Sequence, residues 1–300
     1  MNKKYYNHKE AKEQESKSLK TFSSSRKPLV ISIIAILLIL NITCIYKSNT
    51  EIEVNYYDIQ DNLIPQAFND TVIVHISDLH NKKFGANQKK LLETINSIKP
   101  DMIAVTGDLI DSRNTDIGIA MDFINGAVDI APTYFVTGNH EAWSVRYPRL
   151  EKKLIDAGVI VLRDGMEEIK KKDDSIYVAG LDDPEISGGL QNLSFGEKLT
   201  RLSSKTDGYT ILLSHRPEMF DIYVDQVNLV LSGHTHGGQI RFPFIGAVVA
   251  PDQGFFPKYS DGLYEESNTK MIISRGLGNS VIPFRFNNPP EIIVITLKAK

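Results

Sequence analysis

The sequence predicts an α/β protein in which two β-sheets pack together between outer helices, preceded by one N-terminal transmembrane helix. Three observations carry this expectation. Short β-branched runs alternate with helical-period segments through the first half of the chain, the pattern of parallel sheet. Further strands, expected to be antiparallel, gather in the second half. Near the start, Leu29–Tyr46 is 18 residues long and carries no charge.

That apolar run would span about 27 Å as a helix, close to the hydrocarbon thickness of a bilayer. Eight Lys/Arg and three Glu precede it in residues 1–28, and only Lys47 follows closely. The positive-inside rule therefore places the N-terminus in the cytoplasm and the rest of the chain outside, as a single-pass membrane protein. A retained signal anchor is favoured over a cleaved signal peptide, since no A-x-A site follows the run. Cleavage would instead release a secreted protein. Lipidation at Cys44 has a poor approach in Asn41-Ile42-Thr43, and Ser25-Arg26-Lys27 lacks the second arginine of a twin-arginine signal. Residues 1–28 are expected to be a basic, disordered cytoplasmic tail. Residues 47–70 read as a linker with a first strand near Glu51–Tyr57, and 71–300 as the folded domain.

Within that domain, Thr71–Ser77 reads as a strand, Asn87–Ile98 as a helix and Met102–Thr106 as a strand. Ile117–Val128 is a helix, Thr133–Thr137 a strand, and Tyr147–Ala157 a helix stopped by Gly158. Val159–Leu162, Met166–Ile169 and Ile176–Ala179 are strands, and Phe195–Ser203 a helix. Thr210–Leu213 and Leu229–Leu231 are short buried strands. After Gly238 the pattern turns to aromatics, Gly and Pro, before late strands at Lys270–Ile273 and Ile292–Leu297.

Composition narrows the function. The net charge of −3 divides into +5 over residues 1–28 and −8 over the remainder. An acidic domain lacks the basic footprint that binding long nucleic acid requires. Cys44 is the only cysteine, so neither a disulfide framework nor a cysteine metal site can form within one chain. No obligate protein partner is evident.

The chemistry is concentrated in five islands: Asp78-Leu79-His80, Gly107-Asp108, Gly138-Asn139-His140-Glu141, Ser214-His215 and Gly233-His234-Thr235-His236. Each follows an apolar strand. Taken singly, each has an ordinary explanation: a turn aspartate, a capping asparagine, a hydrogen-bonded histidine. Taken together, carboxylates, an amide oxygen and imidazoles at successive strand ends are what a two-metal hydrolytic site needs. Asp78 and His80, two apart, are expected to converge on one ion. Gly107 lets Asp108 project. His234 and His236 flank Thr235 and can face the same site.

The order D-x-H, G-D, G-N-H-E, H, G-H-x-H resembles the calcineurin-like metallophosphoesterase superfamily over roughly residues 70–297. His236-Gly-Gly-Gln239-Ile-Arg241 and Ser274-Arg275-Gly-Leu-Gly-Asn279, leading into Pro283-Phe-Arg285-Phe, are similar to its membrane-associated bacterial YkuE/YaeI-like branch. The resemblance implies a four-layer α/β/β/α sandwich. It implies that Asp78, His80 and His236 hold one metal and Asn139, His215 and His234 a second. Asp108 would bridge the two, with His140 near the leaving group. A hydroxide between the metals would attack phosphorus in line, and His140 would stabilise the transition state or protonate the leaving oxygen.

The oxygen and nitrogen donors favour Mn²⁺ or Zn²⁺, with Fe, Co²⁺ and Mg²⁺ open. Arg241, Arg275 and Arg285 are candidates for a second anionic group, or are structural ion pairs. Trp143 is a candidate substrate wall or a packing residue, and Glu141 either orients His140 or is a surface charge. Phe242–Tyr264 is a lipid-facing rim or an ordinary long loop. The expected activity is hydrolysis of a phosphomonoester or phosphodiester at the outer membrane face, on a lipid, nucleotide-lipid or cell-wall substrate. A nucleotidase or nuclease, and a non-catalytic metal-binding module, are the alternatives.

Overall fold

The computed structural model describes residues 3–186, 193–279 and 283–300 of the chain, with side chains from residue 28 onward and at 12–15. Two compact units emerge, residues 1–46 and 47–300.

Residues 3–46 of the first unit belong to helix α1 (Lys3–Thr50). Its stretch Pro28–Thr50 is long and apolar enough to cross a membrane, and side chains such as Leu29, Ile36 and Leu40 lie exposed on it. The basic tail, expected to be disordered, is helical from Lys3 onward. Lys, Glu, Ala and Gln are good helix formers, and extending an existing helix avoids the cost of nucleating one.

The second unit begins with β1 (Glu53–Asp61) and β2 (Val72–Ile76). Then come α2 (Lys89–Ile98), β3 (Met102–Thr106), α3 (Ile117–Ile130) and β4 (Thr133–Val136). Short α4 (Asn139–Trp143) leads to α5 (Tyr147–Asp156), β5 (Ile160–Val161), β6 (Gly165–Lys171) and β7 (Asp174–Gly180). α6 (Phe195–Ser203), β8 (Thr210–Leu213), α7 (Phe220–Tyr223) and β9 (Leu229–Ser232) follow. Two small hairpins come next, β10 (Arg241–Phe242) with β11 (Gly246–Ala247) and β12 (Val249–Ala250) with β13 (Gly254–Phe255). β14 (Gly262–Glu266), β15 (Thr269–Ile273) and β16 (Glu291–Ala299) complete the unit.

The strands form two six-stranded sheets, ordered β1-β16-β2-β3-β4-β5 and β14-β15-β9-β8-β7-β6. Side-chain alternation gives each sheet two apolar faces, and three cores result. Ile73, Ala104, Tyr134, Ile176, Ile211 and Leu229 meet between the sheets. Val74, Val105 and Phe135 pack under Leu91 of α2, Phe123 of α3 and Leu150 of α5. Leu212, Val230 and Met271 pack against Leu199 of α6 and Phe220 and Tyr223 of α7. The architecture is therefore α/β/β/α, as expected.

The expected first strand near Glu51–Tyr57 is β1, which continues to Asp61. It runs parallel to β16 over nine residues, so the chain's last strand binds it into the first sheet. That pairing is non-local and leaves no local signal. One expectation needs correction: the second sheet is not chiefly antiparallel. β15, β9, β8 and β7 are parallel neighbours, and only its edges β6 and β14 pair antiparallel.

Candidate metal centre

The five islands all leave the carboxyl ends of parallel strands, three from the first sheet (β2, β3, β4) and two from the second (β8, β9). Open α/β sheets place ligands at such ends. Because the two sheets are stacked, their ends meet. His215 Nδ1 lies 2.7 Å from the carbonyl oxygen of Thr106, tying one sheet's loop to the other.

The backbone turns sharply as it leaves these strands. Asp78, His80, Asp108, His234 and His236 all have positive φ, between 45° and 71°. Such non-glycine residues are uncommon and concentrate at functional sites. The pair Asp78 and His80 therefore converges through a left-handed turn rather than through extended period-two geometry. Asp78 N–H and His80 N–H donate to Gly107 and Asp108 carbonyls, holding that turn against the next loop. Gly107 has φ of +85°, and a Cβ there would lie 2.5 Å from the Gly138 nitrogen. Only glycine allows the β3 and β4 loops to approach so closely.

One group of ligand atoms comprises Asp78, His80, Asp108 and His236, all buried and all within 4.8 Å of one another. His80 Nε2 lies 3.3 Å from Asp108 Oδ2 and 3.8 Å from Asp78 Oδ1, and His236 Nε2 is 3.4 Å from Asp78 Oδ1. A second group adjoins it. His215 Nε2 is 3.3 Å from Asp108 Oδ2, 3.2 Å from Asn139 Oδ1 and 3.2 Å from His234 Nδ1. Asp108 belongs to both. Donors about 2.1 Å from a shared cation stand roughly 3–3.5 Å apart, the spacing of every contact here except His80 to Asp78.

The donor chemistry fits cations. His215 donates Nδ1–H to Thr106, so its Nε2 lone pair faces inward. His234 Nε2 is 3.0 Å from Asp252 Oδ2, which leaves its Nδ1 lone pair facing His215. Two nitrogen lone pairs and two side-chain oxygens pointing together repel unless positive charge lies among them. His80 is fully enclosed, and neither of its ring nitrogens has a hydrogen-bond partner. An orphaned imidazole between two carboxylates fits a metal ligand better than a packing residue.

The electrostatics agree. Burial opposes charge on His80 and His215, yet Asp108 and Asp78 outweigh it and lift them to about 9 and about 10. Burial likewise works against ionised Asp78 and Asp108, but the surrounding histidines hold both well below the usual carboxylate range. The pocket demands positive charge.

His140 stands apart from both groups. Ser112 N–H donates to its Nδ1 at 3.0 Å, so a neutral ring carries its proton on Nε2. Its ring meets His80 edge-on, with centroids 4.4 Å apart. Burial pushes its pKa down to about 4, only partly offset by Asp108. Its own N–H donates to Asp108 Oδ1 at 2.8 Å.

Glu141 neither orients His140 nor lies at the surface. It is fully buried, and its carboxylate accepts from Asp108 N (2.7 Å), Gly138 N (2.9 Å) and Ile110 N (3.3 Å). Burial, then repulsion from Asp108, pushes it up to about 8, against those three donors. It clamps the Asp108 loop to the Asn139 loop.

The candidate arginines are committed elsewhere. Arg241 pairs with Asp261 at 2.6 Å and donates to the Gly237 carbonyl. Arg275 pairs with Glu291 at 2.9 Å and Glu53 at 3.0 Å, locking β1 and β16 to the loop after β15. Arg285 is completely buried and donates to the carbonyls of Gly278 and Arg275. Arg241 and Arg275 thus form internal ion pairs, while Arg285 is held by backbone carbonyls. Trp143 is half exposed beside His140, with ring centroids 5.2 Å apart, and donates to Glu185.

Three neighbours escaped the sequence reading. Asp111 lies 4.0 Å from His140 Nδ1, Asp252 bonds His234, and buried Arg216 sits 3.3 Å from His234 Nε2 while paired with Asp183. Asp111 follows three residues after Asp108 and Arg216 directly after His215, so proximity to an island was their only signal. Asp252 had none.

Residues 71–238 match the family model described as calcineurin-like phosphoesterase. The chain is 35% identical over 257 residues to the uncharacterized metallophosphoesterase YkuE of Bacillus subtilis (strain 168), covering 83% of this chain and 86% of that one. It is 32% identical over 271 residues to the uncharacterized metallophosphoesterase Cj0846 of Campylobacter jejuni, covering 88% and 69%. A transmembrane protein with metallophosphoesterase domain from Danio rerio is 28% identical over 246 residues, covering 78% of this chain and 55% of that protein.

Proposed function

Since the chain belongs to the calcineurin-like phosphoesterase family, we propose that it hydrolyses phosphate esters at the outer face of the membrane, using two divalent cations. The observation that carries this is the pair of adjoining ligand groups sharing Asp108. Asp78, His80, Asp108 and His236 would hold one cation, and Asp108, Asn139, His215 and His234 the other. Bound there, the cations supply Lewis-acid neutralisation of phosphate charge and lower the pKa of water.

The chain's own residues do the rest. Thr106 and Asp252 fix the tautomers of His215 and His234, so that the correct nitrogen of each would face the cation they share. The Ser112 N–H leaves His140 with a donor at Nε2, suited to a phosphoryl or leaving-group oxygen. Trp143 lies beside it as a wall for the substrate. Imidazole-rich donors favour Mn²⁺ or Zn²⁺. The exposed apolar helix, with basic charge before it, supports an anchor whose N-terminus is cytoplasmic. A phosphorylated lipid, nucleotide-lipid or cell-wall phosphodiester is the substrate class this placement favours.

The test is hydrolysis of a chromogenic phosphodiester by the full chain with Mn²⁺. Activity should appear with metal and vanish on chelation. Persistence in excess chelator would sink the reading. In the same assay His140→Ala should retain bound metal and lose about 10²–10⁴-fold in turnover. Near-normal turnover with metal retained would remove His140 from the chemistry.

A further inference from the structure

The two hairpins after His236 carry a dense exposed apolar surface that the site does not use. Residues 242–251 contain no charge. Phe244 is fully exposed at the turn between β10 and β11, with Ile245 beside it. Phe255 and Phe256, 76% and 70% exposed, stand on the second hairpin, and Phe242 is exposed at the base of the first. A group of large apolar side chains in water marks an interaction surface.

Its bonding connects it to two places. One is the end of the apolar helix. Asn49 Nδ2 donates to the Arg285 carbonyl, Arg285 N–H donates back to Asn49 Oδ1, and Asn288 N–H donates to Ser48 Oγ. Arg241 N–H then bonds the Phe286 carbonyl, and the rings of Phe242 and Phe286 pack at 5.9 Å. The point where the chain leaves the apolar helix and the base of the first hairpin thus share one bonded segment, residues 285–288. The other place is the pocket. Asp252, at the turn of the second hairpin, bonds His234 Nε2 at 3.0 Å.

We propose that the two hairpins form a bilayer-docking edge, in which Phe242, Phe244, Ile245, Phe255 and Phe256 enter the interfacial layer of the membrane that holds the chain's own helix. This deepens the proposed function and rests on its membrane anchor. Phenylalanine and isoleucine side chains lose apolar surface from water at the headgroup–acyl boundary, which favours docking. Docked, the edge holds the pocket at headgroup level, where a lipid-borne phosphoester is presented and a dissolved one gains nothing.

The experiment uses the full chain in phosphatidylcholine nanodiscs, with or without bromine on the acyl chains. Trp143 is the only tryptophan, so the unaltered protein sets the baseline. The Phe244→Trp and Phe255→Trp variants are expected to lose at least about half of their added fluorescence in brominated lipid. Quenching above baseline in either variant supports the edge, and quenching in neither overturns it. The readout needs no turnover, so failure of the phosphoesterase reading would leave it interpretable. Absence of quenching with activity intact would instead overturn docking alone.

Discussion

Asp108→Asn is expected to lower turnover by about 10³–10⁴-fold, or roughly 4–5.5 kcal/mol of transition-state stabilisation. Asparagine has nearly the same shape, and its Oδ1 can still accept the 2.8 Å bond from His140 N–H. What it removes is the one carboxylate oxygen shared by both ligand groups, 3.3 Å from His80 Nε2 and from His215 Nε2. An amide offers one oxygen and no charge, so two cations this close would lose their common anion. Metal analysis of the purified variant should give fewer than two equivalents, with thermal unfolding little changed. Full occupancy together with ordinary turnover would show that Asp108 does not bridge.

Glu141→Ala is expected to be the most destabilising single change near the site. Three buried backbone N–H groups, those of Asp108, Gly138 and Ile110, would lose their acceptor. Each stranded donor costs about 1–3 kcal/mol, partly relieved where water enters the space left behind. A loss of about 3–5 kcal/mol follows, which lowers the Tm of a domain this size by about 6–20 °C. Glu141→Gln keeps one acceptor oxygen and should fall between wild type and alanine. Scanning calorimetry of the three proteins decides it; an alanine variant melting with wild type would mean the clamp contributes nothing.

Much of the fold was legible because most of its elements have strong local signals. β2, β3, β4, β8 and β9 are short apolar runs followed within two residues by Gly or Ser, and α2 and α5 show apolar residues at helical spacing. What was not legible depends on residues far apart in the chain. β1 owes its place to β16, more than 200 residues later, and no local pattern records that partner. The parallel order within the second sheet is likewise a matter of which strands become neighbours.

The site divides along the same line. The identities and order of Asp78, His80, Asp108, Asn139, His140, His215, His234 and His236 are written in the sequence, as is the hard-and-imidazole chemistry those donors imply. Side-chain type decides what can bind a cation, and it needs no coordinates. The tertiary structure alone decided which nitrogen each histidine turns inward, because that depends on the Thr106 carbonyl for His215 and on Asp252 for His234. It alone buried Glu141 under three N–H donors and gave Arg241, Arg275 and Arg285 their internal partners. A charge can bind substrate, clamp a loop or close an ion pair with the same sequence around it, and only the partner within hydrogen-bond reach selects among them.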